Sequence, residues 1–139
     1  MTELPSDMRE HNRQLIEQFR ANGRQLGDRP VLLLTTIGAR TGQPRTTPMM
    51  YVFDGDTLLV IASNAGAPRH PNWYLNLRAD PHVTVEVRGE KYDALARPVT
   101  GAERPARWES ITSQYPFFVE HQSKVRREIP VVALERTDS

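Results

Sequence analysis

The chain contains no cysteine. That removes disulfide frameworks, thiol nucleophiles and thiolate metal sites together, and is compatible with a reducing compartment. Net charge is also scarce: 18 Lys and Arg against 17 Asp and Glu leave a formal +1. A surface so balanced has no global field for nucleic acid or an anionic membrane, so any anion selectivity must come from a local cluster. No apolar run approaches the roughly 18–20 residues that a membrane helix needs. The first residues, "MTELPSDMREHNRQ", are too polar for a signal-peptide core. The expected setting is cytoplasmic, with weak membrane contact through an N-terminal helix as the alternative. The length of 139 residues fits one domain, 1–139, with a core that needs no staples.

Catalytic signatures are missing as well. No G-x-G-x-x-G follows a strand, so a Rossmann dinucleotide site is not expected. Gly38-Ala39-Arg40-Thr41-Gly42 lacks the spacing and the Gly-Lys-Ser/Thr ending of a P-loop. No G-x-S-x-G elbow supports serine hydrolysis. The histidines, at 11, 70, 82 and 121, have no metal-ligand spacing, so no metal is expected. The carboxylates form no pair suited to glycoside chemistry. An enzyme so short of acid–base and nucleophilic groups would draw its chemistry from an organic cofactor.

What is present is strand pattern. "VLLLTTI" (31–37) is a continuous apolar run ending in β-branched residues, the mark of a buried strand. "RTTPMMYVF" (45–53) reads as a second strand whose Pro48 places it at an edge or bulge. Asp54-Gly55-Asp56 turns the chain into a third, "TLLVIAS" (57–63), as a hairpin. "VTVEV" (83–87) alternates, with Val83, Val85 and Val87 on one face and Thr84 and Glu86 on the other. Gly89-Glu90 fits a two-residue hairpin loop into "KYDALARPV" (91–99), and "IPVVALE" (129–135) is the last strand. Helices are expected over 7–26, capped by Ser6 or Asp7, over 70–80 with Pro71 in its first turn, and over 101–115. The aromatic "YPFFVEHQ" (115–122) follows. Strands in adjacent pairs do not make a regular βαβ alternation. The expected class is α+β: a mostly antiparallel split β-barrel with helices packed outside.

The segment "TTIGARTGQPRTTP" (35–48) has two glycines, five threonines, two arginines and no acid. Gly38 and Gly42 allow a tight turn whose N–H groups form an anion-binding concavity. Thr41, Thr46 and Thr47 add hydroxyls, and Arg40 and Arg45 add planar forks for phosphate or carboxylate. The plain alternative is a solvated strand connection. "IASNAGAPRHPNWYLNL" (61–77) also leaves a strand through small residues, which let a flat group approach the backbone. The two together describe one cleft with an anionic end and a flat apolar end; two ordinary loops is the other reading.

These segments, with "YPFFVEHQSKVRREIPVVAL", resemble the deazaflavin-dependent nitroreductases, small actinobacterial split-barrel proteins also described as quinone reductases using coenzyme F-420. The likeness runs from about 31 to 135. It implies a deazaflavin whose anionic tail meets Arg40, Thr41, Gly42 and Arg45. It implies a ring against Pro48, Met49 and Met50 on one strand and Ile61, Ala62 and Ser63 on the next. Asn64, Ala65 and Gly66 would edge the ring, and Asn72 and Trp73 would lie beside ring or substrate. Met50, Trp73, Tyr115, Phe118 and His121 would border the acceptor, with Ser63 or Tyr115 polarising its oxygen. The chain departs from the family in carrying Asn64 where a basic residue is common, and Phe118, His121 and Met50 at aromatic or tyrosine positions. The implied activity is hydride transfer from reduced coenzyme F-420 to a quinone or nitro-aromatic. A flavin mononucleotide (FMN) enzyme and a non-catalytic deazaflavin carrier are the competing readings. Monomer and homodimer both remain open.

Overall fold

The computed structural model describes residues 4–27 and 29–137. Helix α1 (Leu4–Ala21) leads into strand β1 (Val31–Ile37), then β2 (Pro44–Met50), β3 (Val52–Asp54) and β4 (Thr57–Ile61). Helix α2 (Asn72–Ala79) precedes the hairpin β5 (His82–Val87) and β6 (Glu90–Pro98). Helices α3 (Glu103–Gln114) and α4 (Phe117–Ser123) then lead to β7 (Val131–Arg136).

All the strands join one antiparallel sheet in the order β2-β1-β5-β6-β7-β4-β3. Its two edge strands, β2 and β3, are consecutive in the chain. Only Tyr51 separates them, and its N–H donates to the Pro30 carbonyl at 3.0 Å. One run of chain thus connects both edges, which curls the sheet into a barrel with helices outside. The single strand expected over 45–53 is therefore two: β2 pairs with β1, and only β3 makes the hairpin with β4. Pro48 does lie on an edge strand, where its missing N–H disrupts no second ladder.

β1 explains its own unbroken apolar run. Leu32 and Leu34 point into the barrel beside Val60, Val85 and Val132. Val31 and Leu33 point outward and pack with Phe19 and Leu26. Leu32, Leu33 and Leu34 are fully buried, each contributing roughly 1.5–3 kcal/mol. A third cluster, including Leu59, Ile111, Phe118 and Ile129, fills the space between the outer face of the sheet and α3 and α4.

α1 is displaced from the expected 7–26. Ser6 and Asp7 fall inside the helix, not before it. Its end is a Schellman turn: Gly23 adopts φ 73° and the Arg24 N–H donates to the Phe19 carbonyl at 2.8 Å. Leu26 consequently lies beyond the helix, yet still buries against the same face. Phe19, with Leu15 and Ile16 beside it, occupies the described apolar stripe of α1, and that stripe is docked on β1 rather than free. No described helix is long and apolar enough to cross a membrane.

Two smaller corrections follow from backbone geometry. The β5–β6 loop is Arg88-Gly89, with φ 48° and 82° closing the Val87–Glu90 pair, one residue earlier than Gly89-Glu90. Positive φ at both positions matches a type I′ turn. Pro71 is the residue before α2, extended at ψ 152°, rather than part of its first turn. Glu86 alternates away from Val85 as expected, but that face is covered too: Glu86 is 1% exposed beneath Arg20 and Arg24.

Candidate active site: the outer face of β2 and β4

Register sorts the expected ring contacts by face. Val31 pairs with Met50, Leu33 with Pro48 and Thr35 with Thr46. Directly paired residues share a face, and Val31 and Leu33 face outward. Pro48 and Met50 therefore form an outer, half-buried wall. Met49 sits between them and packs into the barrel core. On β4, Ile61 belongs to the outer cluster while Ala62 is wholly buried inside. Met49 and Ala62 thus turn their side chains away from the wall and can offer only backbone to it. Trp73, 9% exposed, packs with Tyr74 and Leu77 in the barrel core, and Asn72 is exposed at the start of α2. The strict alternation of a strand forces this split.

The β1–β2 turn is built tightly. The Gly42 N–H donates to the Gly38 carbonyl at 2.8 Å, and the Gly38 N–H to the Gln43 carbonyl at 2.8 Å. A Cβ on Gly38 would come within 2.7 Å of Thr41 Oγ1, so this position excludes any side chain. The Thr41 hydroxyl accepts from the Gln43 N–H at 3.2 Å, and the Thr35 and Thr46 hydroxyls bond each other at 2.8 Å. Arg40 and Arg45 are exposed, and among the described residues neither has an ion-pair partner. No Asp or Glu occurs from Arg29 to Phe53 or from Thr57 to Ala79. The positive potential at the turn is thus uncompensated locally.

Asn76 was not singled out from the sequence, although it lies within the quoted "NWYLNL". Its Oδ1 accepts from the Ala39 N–H at 3.0 Å and its Nδ2 donates to Thr36 Oγ1 at 3.1 Å. Both ends of one amide therefore fix the arginine turn to α2. The two acid-free segments form one unit through this side chain.

The loop after β4 is held in an uncommon conformation. Asn64, Ala65 and Gly66 have φ of 51°, 55° and 81°. For Ala65 the left-handed region costs roughly 1–2 kcal/mol. Arg127 holds it there. Its Nη1 donates to the Ala62 carbonyl (3.1 Å), its Nη2 to those of Ser63 (2.8 Å) and Ala67 (3.0 Å), and its Nε to Ala67 as well (3.2 Å). Nη1 also meets His70 Nδ1 at 3.1 Å, which makes that nitrogen an unprotonated acceptor. Burial, then the charges of Arg127 and Arg78, lower the His70 pKa. Asn64 Nδ2 donates to the Arg69 carbonyl at 3.0 Å, so the residue that replaces a basic one is engaged in shaping the loop. Arg127 was also missed: its partners are carbonyls 60 or more residues away, which leave no local motif.

α4 closes this end. A Cβ on Gly66 would meet the Lys124 side chain at 3.2 Å and His121 Cα at 3.5 Å. The Nδ1 of His121 is buried with no hydrogen-bond partner among the described residues, an orphaned polar atom beside the loop. Tyr115 is half-buried at the end of α3. Phe118 is 4% exposed and belongs to the core beneath α4, so it supports the pocket rather than lining it openly. A cleft of about 520 Å³ opens beside this wall; Val31, Val52 and Tyr115 are among its lining residues.

A flat apolar wall, an acid-free arginine turn at one end and a cleft at the other fit a tailed deazaflavin by the chemistry of their donors. The model of one protein family, described as F420H(2)-dependent quinone reductase, matches residues 7–136. This chain belongs to that family. An F420H(2)-dependent quinone reductase of Mycobacterium tuberculosis is 38% identical over 126 residues, covering 85% of each chain. A solved F420-H2 dependent reductase matches with a TM-score of 0.71 at 38% identity, over 80% of this chain and 98% of its own. Another solved chain, a domain-swapped dimer, matches at 0.73 and 38% identity, over 94% of this chain and 99% of its own. The quinone reductase description supports that part of the expected likeness; it names neither nitro compounds nor flavin mononucleotide. The split-barrel α+β architecture expected from the sequence is the one these two solved chains share.

Proposed function

We propose that this chain is an oxidoreductase that transfers hydride from reduced coenzyme F420 to a quinone. The cofactor is the deazaflavin coenzyme F420, consistent with the F420H2-dependent family to which the chain belongs. The observation that supports the reading is the placement of the Pro48–Met50 outer wall between the arginine turn and the cleft that includes Tyr115. When bound, the reduced cofactor supplies the hydride. The residues of the chain bind, orient and shield. Arg40 and Arg45 hold the anionic tail through charge-assisted bonds. The turn fixed by Asn76 and the loop fixed by Arg127 are preorganised, so little ordering is needed on binding. Pro48, Met50 and Ile61 offer the apolar face for the ring. The Tyr115 or Ser63 hydroxyl donates to the acceptor oxygen as negative charge develops there, a contribution of about 2.7–4 kcal/mol in favourable sites. α1 and α4 flank the wall and limit water access. Nitro-aromatics are a second acceptor class for the same donors, and a homodimer is the assembly to test, since one relative was solved as a swapped dimer.

Stopped-flow mixing of reduced F420-loaded protein with menadione tests the reaction. Acceptor-dependent oxidation faster than in free solution is expected. No acceleration with any quinone would leave a carrier, and binding of flavin mononucleotide without F420 would replace the cofactor. The tail assignment has its own test. Arg40→Ala and Arg45→Ala are each expected to weaken F420 binding by about tenfold, the loss of one charge-assisted bond. A deazaflavin lacking the oligoglutamate tail should lose much less. Equal losses for both ligands would contradict the assignment.

A further inference from the structure

The cleft beyond Met50 has a charge character that the proposed reaction does not use. It holds about 520 Å³, and its lining includes Arg29, Arg88, Tyr51, Phe53, Gln114 and Tyr115. No Asp or Glu is among its described lining residues. The Arg29 side chain has no hydrogen-bond or ion-pair partner among the described residues. Arg88 donates its Nε to the Tyr51 hydroxyl at 3.1 Å and lies over the Phe53 ring, 4.8 Å from its centroid. Its two Nη groups meet no carboxylate among the described residues. Arg97, Arg104 and Arg107, by contrast, each meet a carboxylate, while Arg40 and Arg45 at the β1–β2 turn do not among the described residues. Two guanidiniums without carboxylates beside aromatic walls make a site for a flat molecule that carries negative charge.

The cleft is continuous with the proposed ring wall. Val31, the cross-strand partner of Met50, lines it, as does Val52, two residues further along the chain. Tyr115, a candidate donor to the acceptor oxygen, lines it too. A molecule in the cleft would thus reach the wall at Met50 with one end and the two arginines with the other.

Building on the proposed quinone reductase activity, we infer that the preferred acceptor is an acidic quinone, an aromatic quinone bearing a carboxylate or similar anionic substituent that Arg29 and Arg88 receive. The reaction then balances as for any quinone: the hydride adds two electrons and one hydrogen, and a proton from a hydroxyl donor or solvent completes the hydroquinone. The anionic substituent takes no part in bond changes.

The test compares 1,4-naphthoquinone-2-sulfonate with menadione as acceptors for F420H2-loaded protein. The wild-type chain is expected to show a KM about tenfold lower for the sulfonate at low salt, with the advantage shrinking as ionic strength rises. Arg29→Gln and Arg88→Gln are each expected to raise the sulfonate KM about fivefold more than the menadione KM. Arg29 makes no side-chain bond among the described residues, so its variant remains informative even if Arg88→Gln disturbs the β5–β6 turn. Similar KM values for both acceptors, or parallel shifts in the variants, would overturn the inference. Calorimetry on the cofactor-free chain separates this result from the redox reading. If no quinone is reduced but anthraquinone-2-sulfonate binds more tightly than 2-methylanthraquinone, and Arg29→Gln removes the difference, the anionic site stands and the reductase reading fails. If both anthraquinones bind alike, the site itself is rejected.

Discussion

Arg127→Ala is expected to lower the melting temperature by about 10 °C, equivalent to roughly 3 kcal/mol for a chain of this length, and to weaken F420 binding by about tenfold. The guanidinium donates to carbonyls of Ala62, Ser63 and Ala67 at once. Truncation leaves those acceptors unsatisfied and removes the clamp on a loop whose Ala65 sits at φ 55°. The strained backbone then relaxes toward ordinary φ, and the contour presented to the ring edge is lost. Arg127→Lys keeps the charge but not the fork, so it should recover only part of the stability and little of the affinity. Thermal melts with cofactor titration give both numbers. An unchanged melting temperature in the alanine variant would mean that the loop holds its shape without the clamp.

Glu86→Gln should destabilise the chain by about 2 kcal/mol at neutral pH, a melting shift of about 7 °C, and loosen α1 first. Glu86 is buried under α1 and accepts from Arg20 at 3.1 and 2.8 Å and from Arg24 at 3.2 Å. Burial alone would raise its pKa; the bonds and charge of Arg20, then the bond of Arg24, outweigh it and hold the carboxyl below its ordinary value of 4.5. A folded-state pKa below the unfolded one stabilises above the unfolded value and is lost as pH falls through the folded value. The gap between wild type and Glu86→Gln should therefore be full above about pH 5 and close progressively below pH 4.5. Amide exchange across α1 locates the effect. A gap that stays constant down to pH 3 would show that the charge of Glu86 does not anchor the helix.

The anchor also bears on what α1 does. Its described apolar residues face β1, and two arginines, one in its last turn and one just beyond it, reach a buried acid on β5. A membrane-touching arm would need that same stripe outside the protein. The docked arrangement makes α1 one flank of the proposed cofactor wall.

Much of this was legible from local pattern. The continuous apolar run 31–37 announces a strand buried on both faces. Alternation in 83–87 announces the core-facing valines. The acid-free glycine turn with Arg40 and Arg45, followed by "NWYLNL", carried the family likeness on which the cofactor expectation rested. These signals survive in sequence because they depend on near neighbours: side-chain period, glycine at tight turns, and the charge of adjacent residues.

The rest required the fold. Which of Pro48, Met49 and Met50 faces the ring depends on strand register, and one residue of slip would invert it. Sequence alone did not show that a single run of chain supplies both sheet edges, because the break at Tyr51 is set by a bond to Pro30, 21 positions earlier. Asn76, Arg127 and Glu86 read as ordinary polar residues until their partners, 37 to 66 positions away, are brought alongside. Local sequence thus determined the strands, the turn chemistry and the class of ligand. Tertiary structure decided which side chains share the candidate wall and which turn into the core, because hydrogen bonds and packing between distant segments set the direction of each one.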